Sequence, residues 1–153
     1  MKSSEEALRV LLDTTFILPT LGIDVGREIS KAFQRLDEIQ VEIHYSRYSI
    51  LESLWVAAKT VGHQRHLQDR IELGLRSVLK SHRYFKVDEE PVIFIESLKL
   101  YGLGHKDIVD NILYACSSYF DLKLLTVDKE LRKFVRDNGL KDTLIFPDQL
   151  DSL

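Results

Sequence analysis

Asp13 and Asp128 each close a short apolar run, RVLL and KLLTV, which is how a buried strand looks when it delivers a polar side chain at its tip. Two more acidic residues, Asp107 and Asp110, lie three apart at the opening of a helical stretch and so share one face. Glu52 sits beside the apolar stripe Leu51, Leu54 and Trp55, at a core boundary from which it can reach the same edge. Carboxylates drawn together in a site of reduced dielectric repel strongly, and their pKa values rise unless a cation intervenes. A cluster with neither Cys nor an obvious pair of His ligands suits Mg2+ or Mn2+ better than zinc. Such ions usually serve phosphoryl transfer, by neutralising phosphate, activating water and stabilising the leaving oxygen. A phosphodiester is the natural substrate.

The elements that must position these groups follow from periodicity. A first strand over Arg9–Leu12 is followed by a loop around Pro19 and Gly22, then by an amphipathic helix from Asp24 through Ile29, Phe33 and Leu36 to Ile39. Val41, Ile43 and Tyr45 alternate with polar residues as a strand. Ser46 or Ser49 can then cap a helix whose packing stripe is Ile50, Leu51, Leu54, Trp55 and Ala58. A helical pattern runs from Gln64 to Leu79, interrupted by Gly74, and Phe85 and Val87 suggest a short strand. Pro91 opens a helix that Gly102 and Gly104 stop, and another runs from Asp107 to Tyr119. Leu122–Val127 reads as a strand, Lys129–Arg136 as a helix and Thr143–Phe146 as a last strand. Strands alternating with helices predict an α/β fold: a three-layer α/β/α sandwich around a mostly parallel sheet of four or five strands, joined by right-handed crossovers. Residues 1–153 read as one domain, without repeat or linker.

Composition narrows the classes further. With 44% hydrophobic and 29% charged residues the chain is neither disordered nor fibrous. The net charge of -3 gives no general attraction to polyanions, so any nucleic-acid contact needs a local basic patch. Cys116, the only cysteine, reads as a small apolar core residue in a reducing compartment. No apolar stretch approaches a membrane span, which makes a cytoplasmic protein the expectation.

The segments LLDTTF (11–16), SILESL (49–54), DNILYACS (110–117) and LLTVD (124–128) resemble the four acidic motifs of the PIN-domain family, the PilT N-terminus ribonucleases. Each motif is weak alone; their order and their placement on strand ends and a helix start make the set specific. The resemblance implies that Asp13, Glu52, Asp110 and Asp128 ligate one or two Mg2+ or Mn2+ ions for hydrolysis of an RNA phosphodiester, with Asp107 assisting. Thr15 stands where the family commonly has Asn, keeping a hydroxyl without the amide, and Thr126 matches the small hydroxyl residue two positions before the last Asp. The family includes VapC-type toxins of toxin-antitoxin pairs, and the small size favours that branch, with a homodimer and an antitoxin protein as implied partners. Its RNA-processing and quality-control nucleases, or a catalytically weak PIN-like RNA- or protein-binding module, are the alternatives.

Singly, each carboxylate also has an ordinary structural reading. Asp107, Asp110 and Asp128 can cap helices, the preferred reading for Asp107, and Asp13 can start a turn. A haloacid dehalogenase-type phosphatase also begins with Asp at a strand end, but it needs a second Asp where Thr15 stands. His63 and His66 lack a third ligand and read as a surface pair. Between Lys59 and Lys86 the chain carries Lys59, Arg65, Arg70, Arg76, Lys80, Arg83 and Lys86 against Asp69 and Glu72, a local net of +5. That segment is the candidate RNA-binding surface, with His82 and Tyr84 for stacking, and a solvated helix is its competing reading.

Overall fold

The computed structural model describes residues 7–61 and 65–152. Strand β1 (Leu8–Leu12) leads into a short helix α1 (Thr14–Ile17) and a 3-10 turn (Leu18–Leu21), then α2 (Arg27–Glu38) and β2 (Val41–Tyr45). Two helices, α3 (Arg47–Val61) and α4 (Arg65–Lys80), reach β3 (Tyr84–Lys86), and two more, α5 (Pro91–Leu103) and α6 (Ile108–Phe120), reach β4 (Lys123–Leu125). The chain finishes with α7 (Lys129–Asp137), β5 (Leu144–Ile145) and α8 (Pro147–Leu150).

The five strands lie in the order β3-β2-β1-β4-β5, and every pairing is parallel. Leu11 pairs with Leu124 and Leu12 with Leu125, so β1 and β4 reach their carboxyl ends together. Alternation sorts the strand residues between two cores. Leu11, Leu124 and Leu144 pack with Ile93, Leu113 and Leu131 of α5, α6 and α7. Val10, Leu12, Leu125 and Ile145 pack with Phe16, Ile29, Leu36 and Leu150 on the other face. Both faces being covered explains the continuous apolar runs, and each fully buried Leu contributes about 1.5–3 kcal/mol. From β1 the chain adds strands outward to β3, then returns to place β4 on the other side. Ligands of open parallel sheets bind outside the carboxyl ends at such a reversal.

Helix α3 departs from its expected orientation. Ser49, Ser53 and Ala57, spaced by four, face inward, whereas Leu51, Leu54 and Trp55 are exposed, Trp55 at 60%. Small inward residues let α3 lie close against its neighbours, and the Ser53 hydroxyl donates to the Ser49 carbonyl at 2.7 Å, which satisfies its burial. Apolar identity therefore marked the wrong face. The cap is settled as Ser46, whose Oγ accepts from the Tyr48 N–H at 3.1 Å. Gly74 sits mid-helix in α4 because a Cβ there would stand 2.1 Å from the Thr20 carbonyl oxygen of the 3-10 turn. No helix among the described residues is long and apolar enough to cross a membrane. Cys116 is fully buried, and burial, with Glu89 nearby, pushes its thiol up to about 12, as suits an inert core residue.

Candidate active site

Asp13 follows β1 directly and caps α1. Its carboxylate is only 8% exposed, with Oδ1 accepting from the Thr14 N–H at 2.7 Å and Oδ2 from the Thr126 hydroxyl at 2.7 Å. The same Thr126 Oγ1 accepts from the Asp128 N–H at 3.1 Å, so one buried hydroxyl ties the tip of β1 to the turn after β4. Asp128 caps α7, and its Oδ1 alone takes the N–H groups of Glu130 and Leu131, each at 3.0 Å. Oδ2 of Asp128 lies outside that cap. Asp107 caps α6 by accepting from the Asp110 N–H at 3.1 Å, which sets Asp110 in the first turn. Capping and convergence are therefore the same geometry: each cap fixes a carboxylate at the sheet edge.

The electrostatics record how close these groups are. Asp110 is pushed up to about 9, first by burial, then by the charges of Asp13, Asp107 and Asp128, and finally by a hydrogen bond to Asp128. Asp13 is raised to about 6 by burial, against the two hydrogen bonds it accepts, with Glu52 and Asp128 adding repulsion. Glu52, on α3, is raised mainly by burial; the Thr14 hydroxyl opposes that shift and Asp107 adds to it. Thr14 Oγ1 is buried and lacks a close hydrogen-bond partner. An orphan hydroxyl among crowded carboxylates, with an all-oxygen donor set from Asp13, Asp110 and Asp128, fits a hard divalent cation.

Three features of the site carry no acidic signal in the sequence. Thr14, beside Thr15, is the threonine that faces Glu52. His105 places a ring nitrogen within 4.8 Å of carboxylate oxygens of Asp110 and Asp128. Asn111, fully buried, bonds His105 Nδ1 through Oδ1 at 2.7 Å and donates through Nδ2 to the carbonyls of His105 at 2.8 Å and Ser97 at 3.3 Å. The available signal was position: His105 follows the Gly104 helix stop and precedes the α6 cap by two residues, which puts it at the same edge.

The basic residues gather elsewhere. Apart from Lys59 on α3, those of known position lie on α4 or around edge strand β3, two strands from β1. Arg70 donates to the Thr20 carbonyl at 3.0 Å, Arg76 pairs with Glu72 at 2.9 Å and Arg83 pairs with Asp37. Lys59, Lys80 and Lys86 are exposed. Tyr84, expected to offer a stacking face, is buried, because it turns its ring toward the core from β3. His63 and the Arg65 side chain lie outside the described residues, and His66 is exposed.

Residues 10–136 match the family model of the PIN domain. The chain belongs to the PIN domain family. PIN domains are generally nucleases, and the match takes in Asp13, Glu52, Asp107, Asp110 and Asp128. No curated protein matches the sequence. Among solved structures, the PIN domain is similar to a chain of a toxin-antitoxin complex from Klebsiella pneumoniae, at 19% identity and a TM-score of 0.57, over 90% of this chain and 97% of that one. It is also similar to a chain of VapBC2 from Rickettsia felis bound to a DNA fragment from its promoter, at 15% identity and 0.60, over 91% and 98%. FitAcB from Neisseria gonorrhoeae gives 15% and 0.59, over 90% and 97%. At these identities the likeness speaks for the fold.

Proposed function

We propose that this PIN domain is a divalent-metal-dependent endoribonuclease that hydrolyses RNA phosphodiester bonds, acting as the toxin of a toxin-antitoxin pair. The observation that carries the reading is the crowding of Asp13, Asp110 and Asp128 where β1 and β4 end, severe enough to hold a proton on Asp110 up to about 9. Isolated surface acids do not behave so, and perturbed carboxylates in a cleft are a signature of catalytic sites. In this reading Asp13, Glu52, Asp110 and Asp128 hold the ion, and Asp107 positions Asp110 through the α6 cap. Bound there, Mg2+ or Mn2+ supplies neutralisation of phosphate charge and activation of water.

The chain's own residues prepare for that load. Thr126 fixes the Asp13 carboxylate and the turn bearing Asp128. The α7 cap leaves Asp128 Oδ2 for a ligand, and the Thr14 hydroxyl lies ready to hydrogen-bond water, phosphate or Glu52. The +5 stretch of α4 and β3 is the surface proposed for the RNA backbone, through the exposed Lys59, Lys80 and Lys86, with Arg70, Arg76 and Arg83 supporting it after exchange of their present partners. The toxin role rests on the resemblance of the fold to toxin-antitoxin chains, and its partners are an antitoxin protein and a second copy of the toxin. The copy has a surface to meet: Leu54 and Trp55 of α3 and Ile95 and Leu98 of α5 are exposed, Leu98 at 62%, and Tyr48 at the start of α3 packs edge-on against Phe94 of α5 at 5.8 Å.

The experiment is cleavage of a mixed RNA pool with Mn2+ and with chelator. The unaltered protein cuts only with the metal, and Asp13→Asn, which keeps the shape of the side chain, loses at least about a hundredfold in rate while still folding. Equal cutting by Asp13→Asn rules the site out.

A further inference from the structure

We infer that His105 is a nitrogen ligand of this site, completing a His-Asp-Asp set with Asp110 and Asp128 that selects Mn2+ and later first-row divalent ions over Mg2+. The inference rests on the metal-dependent reading above and names a residue that the acidic motifs do not contain.

Distance comes first: one nitrogen of His105 and one oxygen from each carboxylate lie within 4.8 Å of one another, so a small inward movement brings all three onto a single ion. Orientation comes second. Asn111 Nδ2 points at two carbonyls, which are acceptors only, so its Oδ1 must be the atom facing the imidazole. An amide oxygen accepts, hence Nδ1 carries the hydrogen in that 2.7 Å contact. In the neutral ring this leaves the lone pair on Nε2, the form in which His binds metals, with the outer nitrogen held by a hydrogen bond. Phe134 packs against the ring with centroids 5.2 Å apart and restrains its rotation. A fully buried Asn, fixed by three hydrogen bonds, is a costly device for an ordinary surface histidine. The Thr14 hydroxyl, next to Asp13 in the chain, is buried with only Glu52 facing it and no close hydrogen-bond partner, a second group at this edge left for a ligand.

The chemical consequence follows from ligand hardness. Mg2+ prefers all-oxygen octahedra, whereas imidazole strengthens binding of Mn2+ and, more steeply, of the later first-row ions.

Electron spin-echo envelope modulation of Mn2+ bound to the tag-free protein tests this. The expected spectrum shows 14N coupling from one imidazole, replaced by 15N coupling when the unaltered chain is grown with 15N-histidine. His105→Gln is expected to lose the coupling and about tenfold in Mn2+ affinity, while Mg2+ affinity moves less than about threefold. If His105→Gln fails to fold, the labelled chain answers alone. Bound Mn2+ without histidine coupling overturns the assignment of His105 and leaves the nuclease reading standing. No Mn2+ binding at millimolar concentration overturns both.

Discussion

Asp110 shows what the site demands of individual residues. Its carboxyl and that of Asp13 bind protons more tightly when folded, at about 9 and about 6, than their ordinary value of 3.8. Between the unfolded and folded values the native state therefore carries more protons, and stability falls as pH rises. For the metal-free protein the loss begins above about pH 4, grows through about 6 and levels off near 9. Asp110→Asn removes the group with the larger shift, and with it the proton uptake that folding requires, so that variant is expected to exceed the unaltered protein in stability by about 1–3 kcal/mol at pH 8 and to show a flatter profile. Urea unfolding in chelator at pH 5, 7 and 9 measures both, and an Asp110→Asn variant less stable than the parent at pH 8 contradicts the account. On the proposed reading, stability and function are opposed at this position. The sequence exposed the acids because each closes an apolar run or opens a helix. It hid His105, Asn111 and Thr14, since a lone His, Asn or Thr in a loop or first turn has many uses and only distance selects among them.

Helices α3 and α5 carry the lesson at the level of elements. Strand and helix order was legible from period and punctuation, but the buried side of α3 was not. Serine and alanine face the core, where the Ser53 hydroxyl is satisfied within the helix, and the large apolar residues are left outside. Gly74 misled in a similar way: it looked like a helix weakness and is a point of close approach to Thr20. The short helix α1 and the 3-10 turn fall in a stretch where the sequence predicts only a loop, because four-residue elements have no room for periodicity. Exposed apolar residues on α3 and α5 support self-association, which light scattering tests. The parent is expected to run as a dimer at micromolar concentration, and Trp55→Glu with Leu98→Glu as a folded monomer. A monomeric parent contradicts that partner surface.

Across the whole molecule, the site exists because of chain reversal. Growing the sheet outward to β3 and returning to β4 puts Asp13 and Asp128 on adjacent strand ends, and α6 arrives over the same edge with Asp110. The parallel sheet was readable from near-continuous apolar strands, and convergence followed from parallel strands sharing a carboxyl edge. The basic run was also readable, and so was the i,i+4 spacing of Glu72 and Arg76, yet the fold sends α4 and β3 toward the opposite side of the sheet from β4, and the pairing of Arg83 was beyond reach because Asp37 lies far off in sequence on α2. The proposed function requires that the carboxylates crowded at this edge share a cation. Anomalous diffraction from crystals soaked in Mn2+ measures this directly: the account predicts a peak bounded by Asp13, Asp110 and Asp128, and saturating Mn2+ that leaves that position empty contradicts it.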